Sequence, residues 1–179
     1  MGFRGLQGLY IAREGCETVR MSSAQIAQIN ISHGGVPKLP VMEAEVGEMG
    51  ILGDGHDEPL HIHCGPERAL CLFAAEVIAA LAAEGHPIGP GSTGENITTR
   101  GLDWPAMVPG ARFRLGNDVL IEVTRYTTPC RTNARWFIGG NFNRMHQALN
   151  PGWSRAYARV LTGGIIRTGD SIEPVPAAE

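Results

Sequence analysis

His61, His63 and Cys64 fall within four positions of one another in the run HIHCGPERALC, residues 61–71, and Glu67 follows them. Imidazoles two apart on a strand point to the same face, so this pair could ligate one metal ion with Glu67 as an oxygen donor. The same residues also read as polar histidines at a loop mouth, with Cys64 packed as a small hydrophobe. The other cysteines, Cys16, Cys71 and Cys130, are scattered with no C-x-x-C pair, which argues against a zinc knuckle, a thioredoxin motif or an iron–sulfur run and for reduced thiols. A second candidate is a lysine. Of the 15 basic residues, Lys38 alone is not arginine. A compact ammonium able to shift its pKa suits other work than a guanidinium, unless Lys38 is an ordinary surface residue.

These residues need a scaffold. A chain of 179 residues suits one domain, expected over 23–176 after an extension at 1–22 of uncertain role. A net charge of −3 with no block of like charges argues against nucleic-acid binding. No apolar run has the length of a membrane span and Met1–Ile11 lacks a signal-peptide pattern, so a soluble, cytoplasmic protein with no membrane partner is expected.

Residues 5–12 suggest a short strand, 24–31 a strand leading to a glycine turn at Gly34–Gly35, and Val41–Val46 another. GEMGILGDG (47–55) reads as a bent connection. Leu70, Phe73, Val77, Ile78 and Leu81 recur at helical spacing, which predicts a long helix over about 68–83 with Cys71 on its apolar side, stopped by Gly85 and Pro87. Ala111–Leu115, a GND turn and Val119–Tyr126 predict a hairpin. A short helix is expected near 143–149, then a strand at 154–161 and a last strand pair around the TGD turn. The fold class expected is mainly β and barrel-like, with one long inserted helix.

Two family resemblances arise. Gly55, His61-x-His63 and Glu67 resemble the first cupin motif, and His146 with Asn150 echoes the end of the second. This match breaks where the predicted helix begins at about Arg68, and Ala74 stands in place of a cupin glycine. GGVPKLPVMEAEVGEMGILGD (34–54), H-x-G-P-E-R-A-L (63–70), GENIT (94–98) and TTPC (127–130) together resemble the MOSC domain, the family named for the C-terminal domain of molybdenum cofactor sulfurases. RVLTGGIIRTGDSI (159–172) fits too, and the similarity spans about 24–175.

The MOSC resemblance implies a β-rich barrel-like fold holding a pterin-based molybdenum cofactor, with Cys130 by position the thiolate ligand to the metal. Lys38 and Arg68 would be its phosphate or oxo-group donors, and Gly94, Asn96 and Thr98 a close backbone approach with neutral donors. Glu95 adds a carboxylate, and His63, which titrates near neutrality, is the expected proton donor. The chain departs from the family's His-Gly-Gly by having Cys64 after His63.

The activity implied is reduction of a small N-hydroxylated or N-oxygenated compound. Electrons would come from an external ferredoxin-like or flavin-containing protein, since GILGDG lacks the dinucleotide fingerprint. The alternative is a cofactor carrier, or a sulfur-transfer protein with a persulfide on Cys130. Pyridoxal phosphate is not expected, because the turn around Lys38 does not suit a Schiff base.

Overall fold

The computed structural model describes residues 24–55 and 65–176. The expectations for residues 1–22, including Cys16, and for His61, His63 and Cys64 lie outside the described residues. In chain order the elements are β1 (Gln25–Ile31), β2 (Leu39–Val41), β3 (Glu43–Gly47), β4 (Gly50–Ile51), β5 (Leu70–Ala74), α1 (Ala75–Ala83) and β6 (Ile97–Arg100). They continue with β7 (Arg112–Leu115), β8 (Val119–Tyr126), β9 (Ala156–Thr162), β10 (Gly164–Arg167) and β11 (Ile172–Val175).

Eight strands form one sheet in the order β11-β7-β8-β9-β5-β6-β1-β2, and β10-β3-β4 form a second. The β7–β8 hairpin is in the register expected from its alternation, with Leu115 opposite Val119 across the turn. β5 and β6 are parallel, Leu72 beside Ile97, and parallel neighbours require a crossover, which α1 supplies. At the far ends of the sheet Gln25 bridges Ser171, and the Ile26 amide donates to the Asp170 carbonyl at 2.8 Å. The ends meet there without a continuous ladder, so the sheet is barrel-like and not a closed barrel. Ile26, Ile29, Leu70, Leu72, Ile97, Leu115, Ile121 and Ile166 fill the interior. No helix among the described residues is long and apolar enough to cross a membrane.

Three expectations need correction. The helix begins at Ala75 and not near Arg68: Pro66–Arg68 is a 3-10 turn and Leu70–Ala74 is strand β5. All five β5 residues are buried, and a strand covered on both faces carries a continuous apolar run that mimics a helical stripe. The end of α1 is as expected, at Gly85 with φ 92°. Near 143–149 there is a 3-10 turn, Phe142–Met145, followed by irregular chain. The strands flanking the TGD turn do not pair with each other, since β10 joins β3 and β11 joins β7.

Candidate functional site

A cavity of about 850 Å³ opens where the loops before β2 and β6, the start of β5, the segment after β8 and the start of β9 converge. The loop before β6, GPGSTGEN, is stapled from inside. Glu95 is fully buried and accepts from the Gly91 amide at 2.5 Å, the Thr93 hydroxyl at 2.9 Å and the Thr98 hydroxyl at 3.3 Å. Burial pushes the Glu95 carboxyl up from its usual range, against the pull of its hydrogen bonds. Gly94 holds a φ of 90°, and a Cβ there would lie 2.8 Å from Val36 Cγ1, so only glycine lets this loop sit against Val36.

Lys38 reaches the cavity wall with its ammonium paired to Asp54, both side chains almost fully buried. Asp54 also accepts from the Ser32 amide at 2.9 Å and the Asn96 amide group at 2.8 Å. The Asn96 carbonyl oxygen takes the Cys71 amide at 3.2 Å, so Asn96 braces the lysine pair against β5. An ammonium has three protons, so pairing with one carboxylate leaves Lys38 donors for a ligand.

Cys130 follows β8 and opens the 3-10 segment Arg131–Trp136. It is half-buried, its sulfur 2.6 Å from the Thr132 hydroxyl and 3.7 Å from Asn133 Oδ1. Asn133 in turn donates to the Thr93 carbonyl at 3.2 Å, which fixes the thiol segment to the β6 loop. A soft sulfur held this way suits a soft metal.

The cavity floor comes from the β5–β9 ladder. Cys71 lies directly opposite Tyr157, and directly opposed residues project to the same face. Arg155, two residues before Tyr157 and immediately ahead of β9, is buried and donates through Nη1 to the Thr93 carbonyl at the same cavity. Burial pushes the Cys71 thiol up, with Arg155 opposing, so it stays protonated at neutral pH. The Tyr157 phenol is pushed up to about 12, first by burial and then by the Cys71 and Cys130 thiols, with Arg155 and Arg68 opposing. The Arg68 guanidinium stands 6.0 Å from the Tyr157 ring centroid.

Of the residues expected at a site, Lys38, Arg68, Gly94, Asn96 and Cys130 line this one cavity. Glu95 and Thr98 do not. They stand behind its wall, Thr98 buried on β6 and accepting from Asn30 at 3.2 Å, and their work is to hold the loop that carries Gly94 and Asn96. Glu67 is exposed and bonded to Arg159 at 3.0 Å. Among the described residues no group of three His, Cys, Asp or Glu could hold a metal ion.

Sequence reasoning missed Cys71, Arg155 and Tyr157. Cys71 was hidden by reading β5 as helix. The other two had a signal in SRAYAR, where large polar residues alternate with alanines, the mark of a strand with one face on the core and one on a site.

The fold and the cavity define a β-barrel-like binding domain with a thiol among cationic and amide donors. A profile of the MOSC domain matches residues 59–173, and the chain belongs to that family, which is associated with the molybdenum cofactor. A protein of Gibberella moniliformis called a reductase is 32% identical over 128 residues, 69% of this chain and 22% of the relative. Protein YiiM of Escherichia coli is 32% identical over 117 residues, 62% of this chain and 51% of the relative. The chain therefore spans about half or less of the length of these curated relatives. The crystal structure of YiiM from Geobacillus stearothermophilus superposes with a TM-score of 0.66 at 25% identity, covering 86% of this chain and 75% of that one.

Proposed function

We propose that the cavity binds the molybdenum cofactor and that the protein reduces N-hydroxylated or related N-oxygenated compounds with electrons from a separate donor protein. The observation that carries this reading is the convergence of the Cys130 thiol with the cations Lys38, Arg68 and Arg155 in one cavity that, among the described residues, no carboxylate lines. The donor set fits such a group. The thiol is a soft ligand, the cations match a phosphate, and Asn96, Asn133 and the backbone at Gly94 match the polar edges of a heterocycle. A volume of about 850 Å³ lies within the ordinary range for cofactor sites.

When bound, the cofactor supplies the two-electron redox chemistry. The chain's own residues do the rest. Cys130 would hold the metal through its sulfur, which the Thr132 hydroxyl 2.6 Å away helps to position. Arg155 and Arg68 anchor the anionic end, while Asn96 keeps Lys38 and β5 in place. Tyr157, on the face shared with Cys71, carries a proton that burial keeps on it through the neutral range, which would suit it as a proton donor.

The test is reduction of an N-hydroxylated purine by a chemical electron donor, using protein loaded with molybdenum in a host that makes the cofactor. Turnover that disappears in Cys130→Ala supports the reading. A molybdenum-replete protein inert on a broad panel of N-hydroxy compounds would overturn it and leave the cofactor carrier in its place.

A further inference from the structure

The chain carries a net charge of −3, yet among the described residues its cavity is lined by Lys38, Arg68, Arg131, Arg135 and Arg155 and by no carboxylate. Asp54, behind the wall, answers Lys38. Glu95, also behind the wall, lies within electrostatic range of Arg155, and burial pushes its carboxyl up. Among the described residues, Arg68, Arg131, Arg135 and Arg155 have no carboxylate partner, nor do Arg100, Arg114 and Arg125 outside the cavity lining, whereas Arg112, Arg144, Arg159 and Arg167 each have one; what sets the cavity arginines apart is that they converge on one space.

The deep cations, Lys38, Arg68 and Arg155, account for the anionic end of one buried ligand. Arg131 and Arg135 remain. Both are exposed at the mouth, on the turn that begins at Cys130. Arg135 is held in position, since it donates to the Val36 carbonyl on the loop before β2 and its guanidinium lies 5.2 Å from the Trp136 ring centroid. A guanidinium fork fixed at the entrance, with a second beside it and no acid among the described residues to satisfy either, fits the oxygens of a phosphate or carboxylate.

We infer that Arg131 and Arg135 select a substrate bearing an anionic group, an N-hydroxylated nucleotide in preference to the free base. The chemistry rests on the reductase reading, but the recognition does not. The charge on the two arginines is then part of substrate binding. An approach of negative ligands to the mouth is steered by the same field and weakens as salt rises.

The experiment compares adenosine with adenosine 5′-monophosphate for binding to cofactor-loaded protein by calorimetry at low and high salt. In parallel it compares an N-hydroxylated purine base with its 5′-monophosphate in turnover. The monophosphate should bind about tenfold or more tighter, the value expected for hydrogen bonds to a charged group. The advantage should shrink with salt and collapse in Arg131→Ala/Arg135→Ala. Arg114→Ala, which removes a charge outside the cavity lining, should keep the wild-type ratio. Equal affinity for the two ligands, or a preference that survives the double substitution, overturns the inference. Nucleotide affinity unchanged in the double variant, with slower turnover only when a protein donor supplies electrons, also overturns it and assigns the arginines to docking that partner. Arginine-dependent nucleotide binding without reduction of either compound leaves the inference standing and defeats the reductase reading.

Discussion

Two arginines mark strand β9, Arg155 immediately ahead of it and Arg159 four residues on, and their surroundings are opposites. Arg159 is clasped by Glu122 at 2.5 Å and by Glu67 at 3.0 Å, and Glu122 also takes Arg112 at 2.7 Å. Arg155 is buried against the cavity with a backbone carbonyl as its hydrogen-bonded acceptor. Both leave a buried Nε without an acceptor, so that atom does not distinguish them. Charge does. At one end of the strand the guanidinium meets two carboxylates and serves the sheet, and at the other it has no carboxylate partner among the described residues. A buried charge without a partner costs stability, and a fold that keeps one has another use for it.

The widest break in this contrast is expected from chemistry at the cavity end. Tyr157→Phe should lower kcat about 100-fold, the low end of what a positioned proton donor contributes, with KM and melting temperature little changed. Next, Arg155→Met should lower cofactor retention at least tenfold while the cofactor-free protein melts no lower, because an apolar side chain replaces a buried uncompensated charge. Arg159→Met should do the reverse, leaving cofactor content intact and lowering the melting temperature by roughly 2–4 °C. A loss of stability in Arg155→Met matched by none in Arg159→Met would invert the comparison.

The smallest effects lie in pH dependence, and the two ends should differ in sign. Hydrogen bonds from Arg112 and Arg159 hold the Glu122 carboxyl below its usual range. Its contribution is therefore complete above the unfolded pKa, about 4.3, and is lost as pH falls through the folded value. The Glu95 carboxyl is raised by burial, so its penalty sets in as pH rises above about 4.3 and is complete above the folded value. Thermal melts across this range should show Glu122→Gln flattening the acid limb and Glu95→Gln improving relative stability toward neutral pH.

The hairpin β7–β8 was legible because its alternation and turn are local. The family segments likewise led to the loop residues Lys38, Gly94, Asn96 and Cys130, which now share one cavity. What escaped was set by pairing between distant strands. Cys71 meets Tyr157 only through the β5–β9 ladder, 86 positions along the chain by subtraction of 71 from 157. No local pattern encodes that register. Glu95 and Thr98 were misplaced for a related reason: a polar residue beside a glycine loop looks the same in sequence whether it faces a ligand or braces the loop from behind.

The central claim is that the cavity at Cys130 holds a molybdenum cofactor. The direct measurement is molybdenum and pterin content, per protein, after purification from a host that makes the cofactor, beside Cys130→Ala. Near-stoichiometric molybdenum in the natural sequence and its loss in Cys130→Ala is the result this account predicts. Iron or zinc that survives Cys130→Ala and disappears when His61 and His63 are replaced by alanine would contradict it.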